Sequence, residues 1–143
     1  MIRNGYFFES AGHEFEDELI GTISSFSKKT WGPKAVRFST LDQDRFEGTD
    51  LYVLDVPVDV TLHFEGKNRT KALQTQIIDG VTVSWGVRFG NGKATFKTPV
   101  LVIGAETAVG ISKSNMWIAL EIIKANIANI LDKGMDLYFD ATA

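Results

Sequence analysis

The chain of 143 residues contains no cysteine and only three prolines, and both shortages exclude classes of protein. Without cysteine there can be no disulfide bond and no thiolate metal site, which excludes a small disulfide-stabilised scaffold and fits a reducing compartment. No apolar run approaches the roughly 18 residues that a membrane span requires. The first residues also lack the apolar core of a secretory signal. We therefore expect a cytoplasmic protein without a membrane partner.

Several local motifs of common enzymes are missing as well. The sequence has no phosphate-binding P-loop, no dinucleotide-binding glycine pattern, no Gly-x-Ser-x-Gly turn and no His-Glu-x-x-His pair. It also has no internal repeat and no linker rich in proline or glycine. A length of 143 residues suits one hydrophobic core, so we expect residues 1–143 to form a single domain.

Charge is distributed unevenly along the chain. Residues 1–66 carry 6 basic and 12 acidic side chains, whereas residues 67–113 carry 7 basic and 2 acidic ones. A basic segment beside an acidic one could hold a phosphate backbone close to an acidic metal site. The segment 67–97 is therefore a candidate contact for nucleic acid, DNA in preference to RNA. Lysine and arginine that merely keep strand faces soluble are the alternative explanation.

Apolar spacing and turn residues predict an alternation of helices and strands. The predicted elements are a helix from Ser10 or Gly12 to the stop at Gly32-Pro33, a strand over 35–39, a hairpin over 48–67, a three-strand meander over 70–98, a strand over 99–104 covered on both faces, a helix from Ser112 or Ser114 to about Asp132 with Lys133-Gly134 as its stop, and an edge strand or docked segment over 137–139. Helices segregated from a mixed sheet indicate an α+β, or mixed α/β, fold.

The hairpin over residues 48–67 is the best candidate for a functional site. Alternation places one set of side chains on an apolar face and carboxylates on the other, where they must be solvated, paired or bound to a cation. A turn centred on Asp55-Val56 would pair Val53 with Val58. Asp50 and Asp59 would then lie diagonally on one face, within reach of a shared ion.

Two carboxylates on adjacent strands can bind Mg²⁺ or Mn²⁺, which prefer oxygen ligands. A bound ion of this kind can activate water and stabilise charge on a phosphate. His63 lies on the same predicted face and could be a ligand, although a surface histidine is the commoner case. A solvated polar face of an outer hairpin is the alternative for the whole set.

The hairpin resembles the core of the PD-(D/E)XK nuclease superfamily, in which an Asp opens one strand and an acidic residue, any residue and Lys follow on the next. Asp50 resembles the first acid, and Asp59-Val60-Thr61 resembles the second element, with Thr61 where Lys is usual. Residues 12–19 are similar to the Gly-x-x-x-Glu-x-x-Leu opening of resolvase-like members, which gives Glu16 the position of a third acid, with Glu14 or Glu18 as alternates.

The resemblance implies a restriction-endonuclease-like core with a mixed central sheet, flanking helices and an inserted β-meander. It implies that Glu16, Asp50 and Asp59 hold Mg²⁺ or Mn²⁺ for phosphodiester hydrolysis of DNA. The cation that Thr61 cannot supply would come from Lys67, which follows Glu65 in a second acidic-x-Lys arrangement, or from Lys71 or Lys113.

Three further expectations stay open from the sequence. A homodimer would suit an endonuclease, since cutting both strands needs two sites. The replacement of the lysine by Thr61 is also compatible with a catalytically inactive scaffold that binds nucleic acid or serves in an assembly. A β-rich interaction protein whose carboxylates are merely solvated is the third possibility.

Overall fold

The computed structural model describes residues 10–40, 49–61, 70–78, 81–88, 99–107 and 113–143. Within these ranges a six-stranded mixed sheet packs with three α-helices, so the predicted α+β class is confirmed. The elements in chain order are α1 (Ser10–Trp31), a 3₁₀ turn (Pro33–Ala35), β1 (Val36–Phe38), β2 (Leu51–Val53), β3 (Val56–Thr61), β4 (Thr70–Ile78), β5 (Val81–Arg88), β6 (Val100–Thr107), α2 (Lys113–Ala125) and α3 (Ile127–Thr142).

The strands lie in the order β1-β2-β3-β6-β5-β4. The β3–β6 pair is parallel, with Asp59 beside Val102, and every other neighbouring pair is antiparallel. The β4–β5 hairpin therefore stands between β3 and β6 in the sequence but pairs on the far side of β6. This arrangement brings β5 within one strand of β3.

One face of the sheet, the helix face, is covered by α1, α2 and α3. Apolar side chains of the helices and of alternating strand positions form a continuous core there, including Leu19, Ile23, Val58, Val60, Trp85, Leu101, Ile103, Leu120 and Leu131. The helical spacing of Phe15, Leu19 and Ile23 puts these three side chains on the buried side of α1. Burial of this apolar surface is the main force that holds helices and sheet together.

The central strand β6 confirms the prediction that the apolar run over 99–104 forms a strand covered on both faces. Residues 100–105 are all buried, on both sides of the sheet. Leu101 and Ile103 belong to the core under the helices, whereas Val100 and Val102 point to the opposite face. Continuous hydrophobicity is typical of a strand that is covered on both faces.

The predicted register of the β2–β3 hairpin is wrong by two residues. The two-residue turn is Leu54-Asp55, both with positive φ (49° and 66°), and it pairs Val53 with Val56 and Leu51 with Val58. A shift of two positions keeps every side chain on its predicted face. Matching apolar residues therefore identified the faces, but it could not choose between two registers of the same parity.

The turn residues suggest a stabilising substitution, because positive φ at both positions suits Asn-Gly far better than Leu-Asp. Replacing Leu54 by Asn and Asp55 by Gly should raise the free energy of unfolding by about 1 kcal/mol. Urea denaturation measures the change, with Leu54→Ala, which leaves Asp55 in its left-handed conformation, as the control. An unchanged midpoint for the double variant would contradict the assigned turn.

The carboxyl-terminal part differs from the prediction of one long helix ending at Lys133-Gly134. α2 ends at Ala125, and α3 continues through Gly134 to Thr142. Residues 137–139 are therefore helical and not an edge strand, and Leu137 and Tyr138 pack against the core, as the alternative of a docked segment predicts. Asn126 breaks the run, and its Nδ2 donates to the carbonyl oxygen of Ile122 at 2.8 Å. Gly134 is a site of close packing and not a helix stop, because a Cβ there would lie 3.0 Å from a Leu101 methyl carbon.

Two further sequence-based expectations concern the β-meander and membrane-spanning helices. The predicted third meander strand over 93–98 lies outside the described residues. Within the ranges that the structure describes, no helix combines the length and the apolar character needed to cross a bilayer.

Candidate functional site

The candidate site lies on the sheet face opposite the helices, which we call the Asp59 face. Because Val58 and Val60 point into the core, alternation directs Asp59 and Thr61 away from it. The buried polar and aromatic side chains of this face are Tyr52, Asp59, Thr61, Ser84 and Arg88. Asp59 and Thr61 thus lie on the face that alternation predicts, and both are buried, whereas His63 and Glu65 of the predicted face lie outside the described residues.

Asp59 forms a buried ion pair with Arg88. The Arg88 Nη2 atom donates to Asp59 Oδ2 at 3.4 Å, and the two residues are 7% and 3% exposed, respectively. Arg88 lies opposite Val100 on β6 and Asp59 lies beside Val102, so the guanidinium reaches over β6 to the carboxylate. A buried charge needs such a partner, since taking an unpaired ion out of water costs several kcal/mol.

Asp50 lies at the bend that begins β2 and is engaged with the hairpin backbone. Its Oδ2 atom accepts the main-chain N–H of Val60 at 2.9 Å, and its own N–H donates to the Val58 carbonyl at 2.8 Å. Its carbonyl accepts from both the Oγ and the N–H of Ser39 at the end of β1. The Asp50 carboxylate thus adds one side-chain hydrogen bond to the pairing of β2 with β3. Through this bond Asp50 contacts Val60, the residue after Asp59.

Thr61 lies two residues after Asp59 at the end of β3 and is buried on the same face. Of the predicted substitutes for the missing lysine, Lys67 lies outside the described residues, as do the side chains of Lys71 in β4 and Lys113 in α2. Among the described residues, the structure pairs Asp59 with Arg88, which is not among the cations predicted from the sequence. Its alternation with Ser84 on β5 indicated the shared polar face, but only the pairing of β5 and β3 with β6 brings it to Asp59.

Glu16 lies on α1, which packs on the helix face, and is half-buried. Among the described residues, no group of three or more histidine, aspartate or glutamate side chains is placed to hold a metal ion. The predicted ligand role of Glu16 stays a prediction. Asp59 lies on β3, and Asp50 lies just before β2, the strand that pairs with β3.

The donor chemistry of the Asp59 face suits a hard divalent cation. Two carboxylates and the Thr61 hydroxyl are oxygen donors, and Mg²⁺ is commonly held by only one or two carboxylates together with water and substrate phosphates. A metal ion there would compete with Arg88 for Asp59 and with the Val60 N–H for Asp50. The site can therefore be tested by asking whether the ion displaces these contacts.

Comparisons of the chain with protein-family models, with curated protein sequences and with solved structures gave no significant match. The resemblance of the hairpin and of residues 12–19 to the PD-(D/E)XK superfamily accordingly remains a resemblance of motifs.

Proposed function

We propose that this protein is a metal-dependent phosphodiesterase that acts on nucleic acid, with DNA as the preferred substrate. The observation that carries the proposal is the buried contact of Asp59 with Arg88 on a face that also holds Thr61. Asp50, just before β2, is bonded to the main chain of Val60, the residue after Asp59. The chain order of helix α1, strand β1, Asp50 and the Asp59 strand is also the order that the motif resemblance implies.

Asp50 and Asp59 would hold Mg²⁺ or Mn²⁺, and the bound ion would activate water and offset charge on the phosphate. Arg88 supplies the fixed positive charge that Lys supplies at the position of Thr61 in the superfamily motif. A guanidinium held by packing is suited to that role, because preorganised charge in a water-poor site acts strongly on developing negative charge.

We also propose a cellular compartment and an oligomeric state for the protein. The absence of cysteine is compatible with the reducing cytoplasm, where we place the protein. A homodimer would provide the two sites that cleavage of both DNA strands requires.

The test is a plasmid and oligonucleotide cleavage assay with Mn²⁺ or Mg²⁺, together with calorimetric titration of Mn²⁺. We expect the wild-type protein to cleave, and Asp59→Asn and Asp50→Asn to lose at least about 100-fold in rate, as for removal of a main electrostatic group. The matched control is Asp55→Asn, which removes the same charge from the exposed turn of the same hairpin. Circular dichroism must establish that each variant is folded at the assay temperature.

A second candidate function is a nuclease-like scaffold that binds nucleic acid or serves in an assembly without cleaving. The burial of Asp59 (7% exposed) and Arg88 (3% exposed) favours it, since a phosphate must reach the carboxylates for hydrolysis. In that case calorimetry would give no Mn²⁺ binding at submillimolar concentration, and all variants would lack cleavage. Cleavage that is equal in wild type and Asp59→Asn would reject the proposed site altogether.

A further inference from the structure

A second surface, made of cations and aromatic rings, lies at the end of α1 and along β1, and it shares no residue with the ion pair of Asp59 and Arg88. We call it the 28–38 surface; it comprises the exposed side chains of Lys28, Trp31, Lys34, Arg37 and Phe38. Residues 28–38 include four basic side chains and no acidic one, although residues 1–66 as a whole are strongly acidic. The local charge is thus opposite in sign to that of its half of the chain.

The aromatic rings of this surface are exposed yet held in place. Trp31 is 40% exposed and packs edge-to-face on Phe26, with ring centroids 5.9 Å apart. Phe38 is 56% exposed, and the Lys28 Nζ atom lies 5.7 Å from the centroid of its ring. Large exposed rings are costly in water, and the cation beside Phe38 leaves most of that ring open to a ligand.

Arg37 extends the same surface around the sheet edge. Its guanidinium carbon lies 3.8 Å from the centroid of the Tyr52 ring, so the two groups are stacked. Tyr52 lies on the Asp59 face, where it pairs with Pro57 one strand away from Asp59. The 28–38 surface therefore leads from the end of α1 to the carboxylate site.

We infer that the 28–38 surface binds single-stranded nucleic acid, with bases stacked on Trp31 and Phe38 and phosphates near Lys28, Lys34 and Arg37. Interleaved rings and cations are what an unpaired strand requires, because each nucleotide offers a π-face and one negative charge. A duplex hides its base faces, so it would use the cations alone. The choice of nucleic acid as partner rests on the proposed function, and binding can be measured without cleavage.

The experiment measures fluorescence anisotropy of labelled 15-nucleotide oligo-dT, oligo-rU and a 15-base-pair duplex, in EDTA to suppress cleavage. We expect Trp31→Ala and Phe38→Ala each to weaken binding of the single strand by about 5- to 100-fold. The matched control is Phe139→Ala, because Phe139 is also 56% exposed but lies on α3. The two single strands separate a DNA ligand from an RNA ligand.

Charge is tested separately by the salt dependence of binding. The double variant Lys28→Gln/Lys34→Gln should lower the slope of log affinity against log salt by about 1.4, or about 0.7 for each phosphate that is no longer neutralised. Lys133→Gln, which alters an exposed lysine of α3, should leave the slope unchanged.

Equal binding by Trp31→Ala, Phe38→Ala and Phe139→Ala would overturn the inference, as would tighter binding of the duplex or binding of anionic phosphatidylserine vesicles in place of oligonucleotides. The outcomes are independent of the proposed reaction. A protein that binds through Trp31 but never cleaves would refute the phosphodiesterase alone. A protein that cleaves equally well without Trp31 and Phe38 would refute the binding surface alone.

Discussion

Replacing Arg88 by Met should lower the free energy of unfolding by about 3–5 kcal/mol, the usual cost of removing one partner of a buried ion pair. Asp59 would then lie in a position that is 7% exposed, without the guanidinium beside it. Equilibrium denaturation in urea measures the change. Asp59→Leu should be comparably destabilising, because the guanidinium would then be a buried charge without the Asp59 carboxylate.

The double variant Asp59→Leu/Arg88→Met distinguishes an ion pair from two unrelated buried residues. Removing both charges removes both desolvation penalties, so the double variant should be more stable than either single variant. The control is the ion pair of Lys124 with Glu18 at 3.3 Å, which is largely exposed, and Lys124→Met should cost less than about 1 kcal/mol. Additive destabilisation in the Asp59–Arg88 cycle would contradict the ion pair.

Truncating Leu101 to Ala should lower the free energy of unfolding by about 3–5 kcal/mol, because removal of the methyl groups leaves a cavity at the centre of the core. Leu101 is fully buried on β6 and faces α3, where its Cδ atoms lie against Gly134. The matched control is Ile118→Ala, which removes an aliphatic side chain that is partly exposed on α2 and should cost much less. Urea denaturation again measures both.

A second substitution tests the approach of Leu101 to Gly134. In the wild-type protein a Cβ at Gly134 would lie 3.0 and 3.2 Å from the two Leu101 methyl carbons, which is too close without a shift. In the Leu101→Ala background those methyls are gone, so Gly134→Ala should recover about 1 kcal/mol through helix propensity and partial filling of the cavity. No recovery would mean that α3 does not approach β6 at this point.

The errors in the sequence-based predictions share one physical cause, which is competition between local signals and packing. By local rules Lys133-Gly134 predicts the end of a helix, yet α3 continues through it. The glycine is instead suited to the close approach of Leu101, which leaves little room for a side chain at position 134. Leu54-Asp55 carries no hairpin signature, yet it turns because β2 and β3 pair on both sides of it. In both cases tertiary contacts outweigh a local preference of about 1 kcal/mol.

The site shows the same division between local pattern and packing. Alternation alone separated Asp59 and Thr61 from Val58 and Val60, since strand side chains point to opposite faces whatever the partner strand. It also placed Arg88 on a polar face of β5. No sequence pattern could select Arg88 from the other cations, because the ion pair depends on β5 and β3 lying on either side of β6.

What the sequence by itself determined is the α+β class, the buried strand β6, the apolar stripe of α1 and the two faces of the β2–β3 hairpin. All four follow from periodicities that the backbone geometry of a helix or strand imposes locally. The tertiary structure alone decided the hairpin register, the pairing of Arg88 with Asp59, and the contact of Lys28 with Phe38. These depend on which elements become neighbours, and neighbours are chosen by burial of the whole core.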